Sequence, residues 1–230
     1  MEVGRSDEKV REHLQNMTPK VIILDFDGVI VESVGIKDHA FEVLFADYPQ
    51  QLNDIVAYHL SHNAVIRFEK FRHITENILR QHYTDERANE LQTKYSEFIL
   101  EKIVRCPLVE GAEDFLNHFS KTTPLFLASV NPASELEEIL DKRNLKRFFK
   151  KMYAHPWLKK DSILDILKNE NKFLSEAVFI GDSLEDLLAA RGAGVFFVGR
   201  NSGKSFGGAD IPVYQNLAEI KQYLENFVNA

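Results

Sequence analysis

Apolar and polar positions along this chain follow two different periods. Five short apolar runs show little or no alternation: Val21 to Leu24, Leu125 to Ala128, Lys151 to Ala154, Ala177 to Ile180 and Val195 to Val198. Runs of this length and composition predict strands covered on both faces, as in a parallel sheet. From the second run onward, segments with apolar residues three and four apart separate them. ASELEEILDKRNL keeps Leu136, Ile139 and Leu140 on one face, with Asn131-Pro132 placed to serve as cap and first helical residue. A second helix is predicted to open at Asp161 or Ser162 and to carry Ile163, Leu164, Ile166 and Leu167. Ser183 is a candidate cap for LEDLLAARGAG, which closes on glycine as helices often do. Strand and helix in alternation give an α/β fold with a doubly wound parallel sheet and right-handed crossovers.

Between the first two strands the pattern changes. From Lys37 to Lys102 the chain is almost entirely helix-compatible, with AFEVLF, AVIRFEKFRHITENIL and ERANELQTKYSEFILEKI all at helical spacing. A βα loop normally runs about 2–6 residues, so this segment predicts an inserted all-helical cap domain. The expected organisation is an N-terminal extension over 1–17, an α/β core over 18–34 and 106–230, and a helical cap over 35–105. Gly35 and the stretch from Arg105 to Gly111 are the predicted hinges, and a lid that moves would admit substrate and exclude water in turn.

Composition narrows the class. With 44% hydrophobic and 27% charged residues, 230 residues make a globular protein with a sizeable core. A formal net charge of -7 argues against a nucleic-acid surface, although a local site can still be positive. A single cysteine, Cys106, excludes an internal disulfide and a cysteine-rich zinc site, and fits a reducing, cytoplasmic compartment. No apolar stretch approaches the ~18 residues that cross a bilayer, and the charged N-terminus lacks the apolar centre of a signal peptide.

The chemistry begins where the first strand stops, at Asp25-Phe26-Asp27-Gly28. Period two sends both carboxylates to one side and Phe26 to the other. Two like charges so close raise each other's pKa unless a cation joins them, and a divalent metal with oxygen ligands is the natural candidate. A turn at a polar strand end is the plainer alternative. Three more strand ends carry polar groups: Ser129 after the second, Lys159-Lys160 after the third, and Asp182 after the fourth, with Asp186 one helical turn on. Each alone fits a turn or cap. Four together point into the crevice where such sheets bind ligands.

With these motifs the chain resembles the haloacid dehalogenase superfamily, in particular its phosphoglycolate-phosphatase-like branch with a helical cap, from Lys20 to about Tyr214. DFDGV is similar to the first motif, Ser129 to the second, and GDSLED to the fourth. Lys160 fits the third motif best because family lysines tend to precede an Ile-Leu pair, as in KDSIL; the adjacent Lys159 is its rival. Glu32-Ser33 resembles the acidic-Ser pair at the cap hinge, and PLVEGAEDFL the segment leading out of the cap. Two departures from the pattern are Val130 directly after Ser129, where a small polar residue is common, and the doubled lysine in place of Lys-Pro.

The resemblance implies a Rossmann-like core and a Mg²⁺-dependent phosphatase acting on a small phosphorylated metabolite. It implies Asp25 as nucleophile, Asp27 as acid and base, and Ser129 and Lys160 on the phosphate. It places metal on Asp25, Asp182 and the Asp27 backbone carbonyl, with Asp186 orienting the lysine or a metal-bound water. Val130, Asn131 and, on the cap, Arg67 are candidate substrate contacts, Arg67 equally suiting a surface pair with Glu69 or Glu76. Phosphoryl transfer is favoured over dehalogenation, whose family members lack the second aspartate. A phosphomutase on the same machinery and a catalytically inactive binding protein are the alternatives. VGRNSGKS resembles a P-loop but has three residues between Gly199 and Gly203 instead of four. His59 and His62 read as solvated residues of the cap rather than metal ligands.

Overall fold

Val21–Leu24 forms β1 with all four residues buried, as expected of a strand with neighbours on both edges. The structure, a computed structural model, describes residues 19–62 and 65–226, so the expected extension over 1–17 lies outside the described residues. The chain divides into two compact units, one running to Glu32 and resuming at Pro107, the other spanning Ser33–Cys106.

The unit Ser33–Cys106 is helical throughout its described elements: α1 (Val34–Leu44), α2 (Leu52–Ser61), α3 (Arg67–His73) running into a π-helical turn (Ile74–Ile78), and α4 (Asp85–Arg105). In α4 the buried residues Leu91, Tyr95, Ile99 and Ile103 recur every four positions and so line one stripe. Thr84 caps α4 by accepting the Arg87 N–H at 3.2 Å, and Asp85 and Glu86 in the first turn with Lys102 and Arg105 in the last oppose the helix dipole. The unit's core is aromatic, with the Phe41 ring 5.6 Å from both Phe71 and Tyr95. His59 belongs to that core. It stacks on Phe41 at 3.8 Å and is 6% exposed, which corrects the solvated position expected from sequence. The buried Lys70 ammonium lies 3.1 Å from His59 Nδ1, and Asp38 Oδ1 lies 3.0 Å from Nε2. Because an ammonium can only donate, Nδ1 accepts and Nε2–H donates to Asp38. Burial lowers the His59 pKa from its ordinary value, the Asp38 hydrogen bond opposing.

The other unit continues from β1 with α5 (Ala112–Phe119), β2 (Leu125–Pro132), α6 (Ala133–Lys142), β3 (Lys151–His155) and α7 (Lys159–Glu170). Then follow β4 (Ala177–Gly181), α8 (Leu184–Ala193), β5 (Phe196–Arg200), β6 (Val213–Tyr214) and α9 (Leu217–Asn226). The six strands form one parallel sheet in the order β3-β2-β1-β4-β5-β6. Right-handed crossovers in this order put α5 and α6 on one face and α7 and α8 on the other. One core cluster confirms the second face: Val21, Ile23, Phe126 and Phe179 pack with Ile163 and Ile166 of α7 and Leu187 and Ala190 of α8. The chain winds outward from β1 through β2 and β3, then returns to β4 on the other side of β1. The switch point therefore lies between β1 and β4, whose ends deliver Asp25 and Asp182.

Three local expectations change. α7 starts at Lys159 rather than at Asp161 or Ser162, placing both lysines in its first turn. β2 continues beyond Ala128, but the register slips: Ala128 faces Tyr153 and Pro132 faces His155, so β2 uses four steps where β3 uses two. The extra residues form a bulge at Ser129–Asn131. Pro132 rather than Asn131 then occupies the N-cap of α6, without a side-chain cap. Ser183, as expected, caps α8 in a reciprocal box with Asp186, and Gly194 ends it at φ 78°. Among the described residues, no helix is long and apolar enough to cross a membrane.

Candidate active site

Asp25 continues the β1 ladder by donating its N–H to Ile180 O at 2.9 Å, and the chain then turns sharply through Gly28 at φ 74°. Phe26 is fully buried, while the carboxylates of Asp25 and Asp27 are held by different partners. Asp25 Oδ1 accepts the Phe26 N–H at 2.7 Å, and its Oδ2 lies 2.9 Å from the Lys159 ammonium. Asp27 Oδ2 accepts from Asn131 Nδ2 at 2.8 Å. The bulge in β2 makes this possible, since it turns Asn131 inward while Val130 is left 54% exposed. Ser129, 2% exposed, accepts the Asn131 N–H on its Oγ at 3.2 Å, which leaves its own O–H to donate elsewhere.

Lys159 also reaches Asp186 Oδ1 at 2.5 Å, so one ammonium bridges two buried carboxylates. Lys160 does not. Its side chain is exposed and runs along Gly192, where an added Cβ would lie 3.3 Å from the lysine Cδ. The lysine at the carboxylates is therefore Lys159, a correction to the expected Lys160. Adjacent residues on a helix point about 100° apart, so only one of the pair can face the sheet. Lys159 precedes the buried Ile163 by four positions and Ile166 by seven, whereas Lys160 precedes the exposed Leu164 by four.

Asp186 is fully buried, and both of its carboxylate oxygens are occupied. Oδ2 accepts from Ser183 Oγ at 2.6 Å and from the N–H groups of Asp182 and Ser183 at 3.2 Å each, while Oδ1 takes Lys159. Gly181 allows this packing, because a Cβ there would fall 2.3 Å from Asp186 Cβ. Asp182 is different: it is 1% exposed and its Oδ2 makes no hydrogen bond. The Lys204 ammonium stands 3.0 Å from that oxygen as an ion contact outside hydrogen-bond alignment. One carboxylate oxygen from each of Asp25, Asp182 and Asp186 falls within 4.8 Å of the others.

So many buried charges move one another's protons. Burial pushes the Asp25 pKa up to about 7; Lys159 pulls it down, and Asp186, Asp182 and Asp27 push it further up. Asp182 is raised by burial as well, with Lys204 opposing. Burial lowers the Lys159 pKa, but Asp186 and Asp25 outweigh it and hold the ammonium charged well above its ordinary range. The four carboxylates Asp25, Asp27, Asp182 and Asp186 outnumber the two ammonium groups beside them, so further positive charge would favour their ionised forms. A divalent cation with oxygen ligands fits that need, and the buried Asp182 Oδ2 with no hydrogen bond is a suitable donor, as is Asp25. Asp186, with four donors on its two oxygens against two on those of Asp25, fits the orienting part instead.

The profile of the haloacid dehalogenase-like hydrolases matches residues 22–200. The chain belongs to that family. Solved structures share the hydrolase's fold at low identity. The HAD-hydrolase YfnB from Bacillus subtilis, described as bound to magnesium, is 19% identical with a TM-score of 0.69, covering 90% of this chain and 99% of its own. A protein from Haemophilus somnus described as a predicted phosphoglycolate phosphatase is 16% identical, also with a TM-score of 0.69, covering 90% and 98%. CbbY from Rhodobacter sphaeroides, in complex with phosphate, is 17% identical with a TM-score of 0.67, covering 88% and 96%. Comparison with the curated proteins gives no match.

Two residues of the hydrolase went unnoticed in its sequence. Arg200, at the end of β5, is 7% exposed, donates to Gly28 O at 3.1 Å and forms a two-pronged pair with Glu32. It thereby ties the turn after Asp27 to the last residue before the helical unit. An arginine two residues after the apolar run Val195 to Val198 was the available signal. Lys204 lies in the stretch that failed as a P-loop. Arg67 belongs to the helical unit, where its guanidinium sits 4.8 Å from the Tyr95 ring and donates to Gln92 Oε1 at 3.2 Å. Glu32 and Ser33 fall on either side of the division between the two units.

Proposed function

We propose that this hydrolase removes the phosphoryl group from a small phosphorylated metabolite in a Mg²⁺-dependent reaction. The observation that carries this reading is the split environment of two carboxylates two residues apart. Asp25 sits on an ammonium within a cluster of acids, whereas Asp27 faces a neutral amide. Their placement suits them to separate roles. Asp25 attacks phosphorus, forming an aspartyl-phosphate as the bond to the leaving oxygen breaks. Asp27, protonated at the start, gives its proton to that oxygen and then takes one from the water that attacks the phosphorus of the intermediate, releasing phosphate and restoring Asp25. The Ser129 hydroxyl donates to a phosphate oxygen, and the Lys159 ammonium offsets charge as it shifts from substrate to leaving group. Asn131 holds the Asp27 carboxylate in place and is assigned this orienting part rather than a substrate contact. Asp25 and Asp182 would hold the divalent cation, which when bound screens the nucleophile from the dianionic phosphate.

The compartment we infer is the cytoplasm, since the buried Cys106 forms no disulfide and small phosphorylated metabolites are abundant there. The test is phosphate release by the purified protein from a panel of small phosphate monoesters, with Mg²⁺ and with EDTA. Release with Mg²⁺ and its loss with EDTA are expected. A panel that yields no phosphate under either condition would leave the catalytically inactive alternative standing instead.

A further inference from the structure

Four carboxylates of the core unit, Asp25, Asp27, Asp182 and Asp186, cluster near two ammonium groups, and those two are held in unlike ways. Lys159 is 10% exposed and in contact with two acids. Lys204 is 30% exposed and in contact with one oxygen, Asp182 Oδ2, which accepts no hydrogen bond from it or from any other group. The segment carrying Lys204 is nevertheless well anchored on both sides. Ser202 Oγ lies 3.5 Å from the Asp182 carbonyl oxygen, and Asn201 Oδ1 accepts the Gly203 N–H at 3.1 Å. Beyond the lysine, Phe206 packs edge-on to Phe197 at 5.8 Å and fills the notch over Gly199, where a Cβ would meet its ring at 2.9 Å. A fixed loop thus presents a flexible four-carbon stem whose charged end touches a single buried oxygen.

We propose that Lys204 is a displaceable counter-ion that competes with the divalent cation for Asp182 Oδ2. This rests on the reading that Asp25 and Asp182 take such a cation. Metal–oxygen bonds of about 2.1 Å and a 3.0 Å ammonium contact cannot share one oxygen from the same side, and the two cations repel. Metal entry therefore moves Lys204 off Asp182, which its partial exposure and its contact with a single carboxylate oxygen permit. Metal affinity is reduced by the fraction of molecules in which the lysine holds that oxygen. Lys159 cannot play this part, because Asp186 retains it whatever happens at Asp25.

The experiment is calorimetric titration of Mg²⁺ into EDTA-treated, dialysed protein, comparing wild type, Lys204→Met and Lys204→Arg. Lys204→Met is expected to bind Mg²⁺ about five- to tenfold more tightly than wild type, while Lys204→Arg stays near wild type. Equal or weaker binding by Lys204→Met would overturn the proposal while leaving the metal reading intact. No binding by any of the three would overturn both. A thermal melt supplies the second readout. In EDTA, Lys204→Met is expected to melt below wild type because Asp182 has lost its counter-ion, and saturating Mg²⁺ is expected to remove most of that difference. A deficit undiminished by Mg²⁺ would mark Lys204 as merely structural and also overturn the proposal.

Discussion

Asp25→Asn is expected to lower phosphate release by about 10⁴-fold or more, the scale on which removal of a nucleophile acts. An amide oxygen is a poor nucleophile, and the asparagine cannot form the acyl phosphate. The fold is expected to survive. The backbone N–H still donates to Ile180 O, the side-chain oxygen can still accept from Phe26 N–H, and Lys159 keeps Asp186. Stability is expected to hold or rise. Burial raises the Asp25 pKa from 3.8 to about 7, so the folded state binds this proton more tightly than the unfolded chain. The stability linked to Asp25 is therefore present below pH 3.8 and lost as pH rises through about 7. Asparagine carries no such penalty. In EDTA at pH 7.5, a circular-dichroism melt of Asp25→Asn should lie at or above wild type, together with the loss of turnover. Retained turnover would rule out the covalent scheme.

The second large effect separates two neighbouring lysines. Lys159→Met is expected to lower turnover by about a hundredfold or more, and Lys160→Met to change it by less than about twofold. Lys159 is the ammonium shared by Asp25 and Asp186; without it, two buried carboxylates face each other. That also costs stability, so the comparison is made on protein shown folded by circular dichroism, with Mg²⁺ present. Lys160 runs along Gly192 on the exposed side of α7. A greater loss with Lys160→Met than with Lys159→Met would contradict the assignment.

This pair also shows how far the sequence can be read. The unbroken apolar runs predicted β1, β2, β3, β4 and β5, and the residues at their ends predicted which side chains to watch. Helical phase was available too: Lys159 lies four and seven positions before Ile163 and Ile166, which would have placed it on the buried face. Matching the third motif on the Ile-Leu pair alone pointed one residue too far. Other features leave no such trace. The bulge that turns Asn131 toward Asp27 depends on a register slip between β2 and β3, which neither strand's pattern encodes. Two residues of β6 are too few for a period. His59 and Lys70 are polar residues whose burial follows from one another and from Phe41 in three dimensions. Lys204 meets Asp182 only because β5 lies beside β4, so the loop after one strand returns to the end of the other.

This protein is expected to transfer a phosphoryl group to water, with Asp25 attacking phosphorus and water attacking the phosphorus of the intermediate. Turnover of an accepted substrate in oxygen-18 water with Mg²⁺, followed by mass spectrometry of both the phosphate and the peptide containing Asp25, tests it most directly. Oxygen-18 is expected in the released phosphate and none in the Asp25 carboxylate. Oxygen-18 in Asp25, the mark of water attacking its carboxyl carbon, or an isomerised phosphate ester with no labelled phosphate released, would contradict it.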